Sequence, residues 1–317
     1  MGLNRALTCL VLCLGLNAAE SHQFVAKQIS VYWYDLKQNV TWRSGGDDLT
    51  YHTHLRWQFA LIPLEVGPET AQVEARILQV KAEHAGPGST HSVNSRGPDG
   101  HAVGSDDPLL GDMLALVDAP LVLTVDPRSG VVSAVSGGDT IINRLERLHP
   151  GPPGEQSPMA AAARRSYSSE RLARLWSRIL LVPSEGEQSI TLDEPLGGTA
   201  IRTWVGDRYE LKLPPEAADN PPTAVLAAAP NGIELQLTEL TGSGSVLMRD
   251  GILRHAGGKA MARFNGTAMT QDLVQQHQIT WELGRIELAE QTTGESETDP
   301  SADPDSDTGD EGRTGQP

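Results

Sequence analysis

The stretch YHTHLRWQFAL, residues 51–61, alternates without interruption: Tyr51, Thr53, Leu55, Trp57, Phe59 and Leu61 fall on one side, His52, His54, Arg56 and Gln58 on the other. Period two belongs to a β-strand, whose successive side chains leave opposite faces. A strand apolar on one side only suits an antiparallel sheet with one face buried. Strands of a parallel sheet, covered on both faces, read instead as unbroken apolar runs.

The same alternation recurs along the chain. Val73, Ala75 and Ile77 alternate with Gln72, Glu74 and Arg76; Tyr209, Leu211 and Leu213 with Arg208, Glu210 and Lys212; Ile233, Leu235 and Leu237 with Glu234 and Gln236; Ile279, Trp281 and Leu283 with Thr280 and Glu282. Asp250-Gly251 between apolar runs predicts a hairpin. Leu121 to Val135 predicts another, two short strands around Asp126-Pro127-Arg128-Ser129-Gly130. Helical signals are fewer. Asp107-Pro108 opens PLLGDMLALV, Asp139 is placed to cap an amphipathic turn set through Leu148, and Ser168 caps SERLARLWSRIL, whose Leu172, Leu175, Trp176 and Ile179 share a stripe. The expected fold class is α+β: a large twisted antiparallel sheet, a curved half-barrel, with about three short helices packed on one side.

Two stretches rich in Gly, Pro and Ser, residues 83–107 and 150–166, read as long loops inside one β-rich domain spanning 22–289. Residues 1–21 carry Arg5, an apolar run and then small residues, the pattern of a secretion leader; the run is too short to span a bilayer. From Glu290 to Pro317 nine acidic residues face Arg313 alone, a net of −8 and half of the chain's −16. With no aromatic or β-branched core former except threonine, that segment is expected to be a disordered acidic tail. Acidity also argues against nucleic acid, which needs clustered Lys and Arg.

Cys9 and Cys13 are the only cysteines and both lie in the leader, so after its removal the chain has no disulfide, thiolate or thiol nucleophile. Export as a soluble periplasmic or extracellular protein is expected, with lipid attachment at Cys13 the alternative. Gly137-Gly138 lacks the spacing of a phosphate loop and reads as punctuation. G-x-S-x-G, S-x-x-K and H-E-x-x-H are all absent.

Leu114 to Leu145, LALVDAPLVLTVDPRSGVVSAVSGGDTIINRL, resembles an uncharacterised bacterial domain-of-unknown-function family of exported proteins, in which a helix, a hairpin of the form L-x-V-D-P-x-G-x-V-x-x-V-x-G and a second helix follow one another. GSVLMRDGILRHAGGKAMARFNGTAMTQ, within Ser243 to Leu283, is similar to that family's closing polar hairpin and last strand, and the first stretch of resemblance extends from about Leu109 to Leu145. The turn DPRSG is one residue longer than the family's DPxG. The resemblance implies an outline like half-barrel envelope proteins that shelter acyl chains, and it carries over no catalytic residue and no cofactor.

Candidate contact residues follow from the faces. Trp57, Phe59 and Trp281 are expected to line the core or a ligand cavity. His52 and His54 project from one strand face about 7 Å apart, as two ligands of a metal would, but without an evident third and beside Arg56. His84, His91 and His101 populate the expected loop with Asp99, Asp106 and Asp107. Arg171, Arg174 and Arg178 form a basic helix face suited to a surface contact. The expected role is a non-enzymatic envelope module binding an apolar small molecule or an envelope protein, without cofactor. The alternatives are a hydrolase whose site assembles from loops and a weak metal binder.

Overall fold

The computed structural model describes residues 24, 28–97, 108–150, 161, 164–180, 182–183, 185–191, 199–226, 233–268 and 271–287. The expected leader, the tail from 290, and most of 98–107 and 150–166 lie outside them. Two compact units divide the chain, Met1–Ile286 and Glu287–Pro317, and every element below belongs to the first.

Among the described residues thirteen strands make one open antiparallel sheet: β1 Ser30–Ser44, β2 Asp47–Val66, β3 Ala71–Gly86, β4 Ser89–Asn94, β5 Pro120–Val125, β6 Val132–Ser136, β7 Gly186–Thr191, β8 Thr199–Val205, β9 Arg208–Lys212, β10 Thr223–Leu226, β11 Ile233–Arg249, β12 Ile252–Ala268 and β13 Gln271–Ile286. The order is β6-β5-β3-β2-β1-β13-β12-β11-β9-β8-β7. The first and last strands thus meet in the middle of the sheet. Six long strands, β3 to β1 and β13 to β11, form its centre. Helices are short: α1 Pro108–Gly111 running into the 3-10 turn Asp112–Leu116, α2 Gly138–Leu148 and α3 Ser169–Ile179. The protein is therefore largely β, with the expected antiparallel sheet and helices.

Each end of the long-strand block forks. The outer edge of β3 pairs with β5 over Ala71–Arg76 and with β4 over Lys81–Gly86; the outer edge of β11 pairs with β10 over Ile233–Gln236 and with β9 over Thr241–Ser245. Between the branches, buried backbone groups need other partners. Ile77 O accepts from Asp118 N at 2.8 Å and Val80 O from Ser95 N at 2.9 Å, while Leu237 N donates to Pro222 O at 2.8 Å. Register shifts at Gln58/Phe59 and Leu237/Glu239 fall near the two forks, and irregularities of this kind raise the local twist of a sheet.

The β6 edge is closed by side chains. Ser169 and Ser177 lie two turns apart on α3, and each bonds the β6 backbone: Ser169 Oγ donates to Val135 O at 2.6 Å, and Ser177 Oγ accepts from Val132 N at 2.8 Å. Two hydroxyls thus stand where another strand would have paired, which blunts an edge otherwise open to association. The helix starts where expected, with Ser168 Oγ accepting from Arg171 N.

Three expectations need correction. Residues 83–94 are not loop: β3 continues through Gly86 and turns back as β4, placing His84 opposite His91. Short polar strands carry too little apolar contrast to register as alternation. Asp139 does not cap α2; the cap is Gly137 with φ 92°, and Asp139 lies in the first turn, where the helix dipole favours its charge. A side chain at Gly137 would meet Pro120 O at 2.2 Å, so the glycine is required by packing as well as by the turn. The helix expected across residues 108–117 is one turn of α-helix before Gly111 and 3-10 after it.

The core occupies one face, here the inner face. Tyr32, Tyr34, Leu36, Val40 and Trp42 of β1 point into it beside Phe59, Trp57 and Leu55 of β2. Phe59 is fully buried, stacked on Tyr32 at 5.5 Å and edge-on to Trp176 of α3 at 5.3 Å. On the far branch Arg202 is fully buried, its guanidinium 5.8 Å from the Trp204 ring centre and 5.4 Å from that of Tyr209. Burial pushes the Tyr209 hydroxyl up against the pull of that cation.

Candidate functional site

The outer face of the long-strand block holds a groove of about 950 Å³ running from β3 to β11, continued by a smaller one of about 300 Å³. Lys37 and Thr280 line both. Strand pairing fixes what meets there. One cross-strand row reads Glu83, His54, Lys37, Thr280, Lys259, Ser243; the next reads Lys81, Arg56, Asp35, Glu282, Gly257, Ser245. Ser243, Ser245 and Gly257 leave the β11–β12 side low. Trp33 lies flat over Gly284, where any Cβ would fall about 2.5 Å from its ring, and His255 meets its edge at 6.4 Å.

Asp35 organises the middle of the groove. His54 Nε2 sits 2.9 Å from Asp35 Oδ2, and Arg56 Nε donates to the same oxygen at 2.6 Å. Partial burial alone would raise this carboxyl, but the hydrogen bonds and charges of His54 and Arg56 outweigh it and hold Asp35 below the usual carboxylate range. The row containing it places like charges directly opposite one another, Arg56 against Lys81 and Asp35 against Glu282. Such pairs oppose sheet formation. The ion pair across the middle, Asp35 with Arg56, offsets part of that and leaves Lys81 and Glu282 at its ends.

His52 and His54 do share a face, yet each is engaged by β1: His52 Nδ1 lies 2.7 Å from Asn39 Oδ1, and His54 holds Asp35. Among the described residues no group of three His, Cys, Asp or Glu side chains is arranged to hold a metal. His84 is turned inward, 3.0 Å from Thr53 Oγ1 and stacked on Tyr51 at 6.0 Å; His101, Asp99, Asp106 and Asp107 lie outside the described residues. Four strand spacings, about 19 Å, separate the His54 column from the Ser243 column, so these two do not form a nucleophile and base.

Trp57 and Phe59 are in the core, Trp57 at 8 % exposure. Trp281 is half-buried, packs against the core and borders the groove. The Tyr209 hydroxyl and Trp281 Nε1 come within 2.5 and 3.0 Å of a Cβ placed on Gly258, so that glycine is what admits both rings. Arg171, Arg174 and Arg178 do not form one open basic face. Arg174 is exposed and pairs with Glu170 at 2.7 Å, while Arg171 and Arg178 are half-buried, Arg178 close enough to Tyr34 to lower its hydroxyl against the larger upward effect of burial.

The inner face also carries polar groups that sequence reading missed. Gln38, Gln275 and His277 are each about 3 % exposed, and Gln38 Nε2 lies 3.2 Å from His277 Nδ1. Among the described residues, His277 Nε2 and Gln275 Nε2 have no hydrogen-bond partner, nor do the indole nitrogens of Trp57, Trp176 and Trp204. Desolvation lowers His277 to about 4, so the ring is neutral at ordinary pH.

No protein-family model and no curated protein matches the chain. Among solved structures it is similar to lipovitellin, solved for its lipid–protein interactions, at 9 % identity and a TM-score of 0.37, over 84 % of this chain and 26 % of that one. It is also similar to DynF of the dynemicin pathway of Micromonospora chersina (7 %, TM-score 0.22, 86 % and 87 % covered) and to the translocator domain of the autotransporter NalP of Neisseria meningitidis (8 %, 0.21, 83 % and 90 %). The chain spans about a quarter of the lipovitellin chain. Likeness at these scores carries no functional argument. No described helix is long and apolar enough to cross a membrane.

Proposed function

We propose that this protein is a non-catalytic binding module, exported behind its N-terminal leader, that takes a polar ligand in the outer-face groove. The observation behind the reading is the groove itself, about 950 Å³ and crossed by six strands, with charged side chains of both signs beside the half-buried Trp33. Concave sites with a few convergent polar groups are where proteins bind small molecules. Rigid long strands hold these groups at fixed spacing. The forks and bulges support a half-barrel curvature for the sheet, with the core on one side and the groove on the other.

A second reading, an apolar ligand with ester or amide oxygens on the inner face, is favoured by the buried indole N–H groups of Trp57, Trp176 and Trp204, which lack acceptors. An acyl carbonyl would supply one. Native mass spectrometry of the protein from its own host separates the two. A retained polar molecule that Ser245→Trp displaces supports the groove. A retained lipid indifferent to that substitution supports the inner face. Mass spectrometry of the N-terminus, beginning near residue 22, tests export.

A further inference from the structure

We infer that the groove contains a subsite for a phosphate-like dianion, held between Lys37 and Lys259 over the hydroxyl of Thr280. This rests on the groove being the binding face. Register sets the geometry: Thr280 pairs with Lys37 on one side and with Lys259 on the other. The two lysine columns are therefore two strand spacings apart, about 9–10 Å, a gap that two extended ammonium side chains close on one anion.

Charge supplies the second argument. The chain is at −16, yet the larger groove gathers Lys37, Arg56, Lys81 and Lys259 against Asp35 and Glu282. Asp35 is already committed to Arg56 and His54. Lys37, Lys81 and Lys259 form no ion pair among the described residues, although Glu282 is diagonal to both Lys37 and Lys259 in the register. Ammonium groups gathered in one concave site without committed acids repel one another and focus a positive potential on the space between them. A bound dianion relieves that repulsion, and the Thr280 hydroxyl donates to one of its oxygens. The neighbouring carboxylates of Asp35, Glu282 and Glu83 tell against a cation-free polyanion spread along the whole groove and confine the anion to the Lys37–Thr280–Lys259 row.

The chemistry is shared by a soluble phosphate ester and a phospholipid headgroup, and the test separates them. Inorganic phosphate is titrated calorimetrically into the mature protein at constant ionic strength, and sedimentation is followed with phosphatidylcholine vesicles with and without phosphatidic acid. Phosphate binding is expected, weakened about tenfold by Lys37→Gln and by Lys259→Gln, largely kept in Lys259→Arg, and unchanged in Lys212→Gln, a lysine outside the groove. Sedimentation only with phosphatidic acid, lost in the same two variants, assigns the anion to a headgroup; absence of sedimentation assigns it to a soluble ester. Lack of phosphate binding, or equal weakening in Lys212→Gln, overturns the subsite. If the two lysine variants leave ligand retention intact while Ser245→Trp abolishes it, the anion is wrong and the groove stands; if Ser245→Trp also changes nothing, both fall.

Discussion

The two faces of the central sheet are made by the same six strands, yet they solve opposite problems. On the inner face, packing is dense enough that polar exceptions are costly: His277 and Gln275 keep ring and amide nitrogens without partners, and one of them has its ionisation suppressed. On the outer face, charges are tolerated in arrangements that oppose pairing, Arg56 beside Lys81 and Asp35 beside Glu282, because water screens them. The inner face therefore carries most of the packing, and the outer face most of the charge. Substitutions on adjacent residues of one strand should differ accordingly.

The largest effect is expected at Phe59. Phe59→Ala removes a fully buried ring between Tyr32 and Trp176 and should cost about 4 kcal/mol in urea unfolding, whereas Gln58→Ala, one residue away on the outer face, should stay within about 0.5 kcal/mol. Equal effects would break the division between faces.

Next comes His277. Its folded value, about 4, lies below the ordinary 6.5, so between those limits the unfolded chain takes up a proton that the folded chain refuses. Stability should fall as pH drops from about 6.5 to about 4, by on the order of 3 kcal/mol, and His277→Leu should flatten that limb in denaturation measured across pH. Asp35, depressed by its partners, acts in a lower window: its contribution is present above the ordinary carboxylate value and is lost only as pH falls through its reduced one.

The β6 edge gives an intermediate effect. Ser169→Ala and Ser177→Ala should each cost about 1 kcal/mol and speed hydrogen exchange at the Val135 and Val132 amides respectively. Unchanged exchange would show that the serines do not guard the edge. The smallest effect belongs to Asp35→Asn. Arg56 is more than half exposed, so the pair is screened; the loss should be about 0.5 kcal/mol or less and fade further with salt.

Much of the inner face was legible because burial is written as alternation, as in Tyr51 to Leu61 and Ile279 to Leu283. β1 was missed for the complementary reason. Trp33 stands between Tyr32 and Tyr34, so three aromatic residues run together, and Gln38 points inward where an apolar residue would have kept the period. The β3–β4 hairpin hid in a stretch of Gly, Ser and His. On the outer face, His52, His54 and Arg56 were visible as neighbours on one strand. Their partners Asn39 and Asp35 were not, since local pattern does not report which residue of another strand lies opposite.

The order of residues by itself determined that strands would form, which side of most of them would be buried, where the Asp250-Gly251 and Asp126–Gly130 turns would fall and where α3 would begin. Those features depend on interactions within a few positions of the chain. Only the tertiary structure decided that the first and last strands would adjoin at the centre of the sheet, and so brought Lys37 and Lys259 to either side of Thr280. Cross-strand register is settled by the simultaneous packing of all the inner-face side chains, because a slip of one residue would turn every one of them to water. The outer-face groove inherits its composition from that packing.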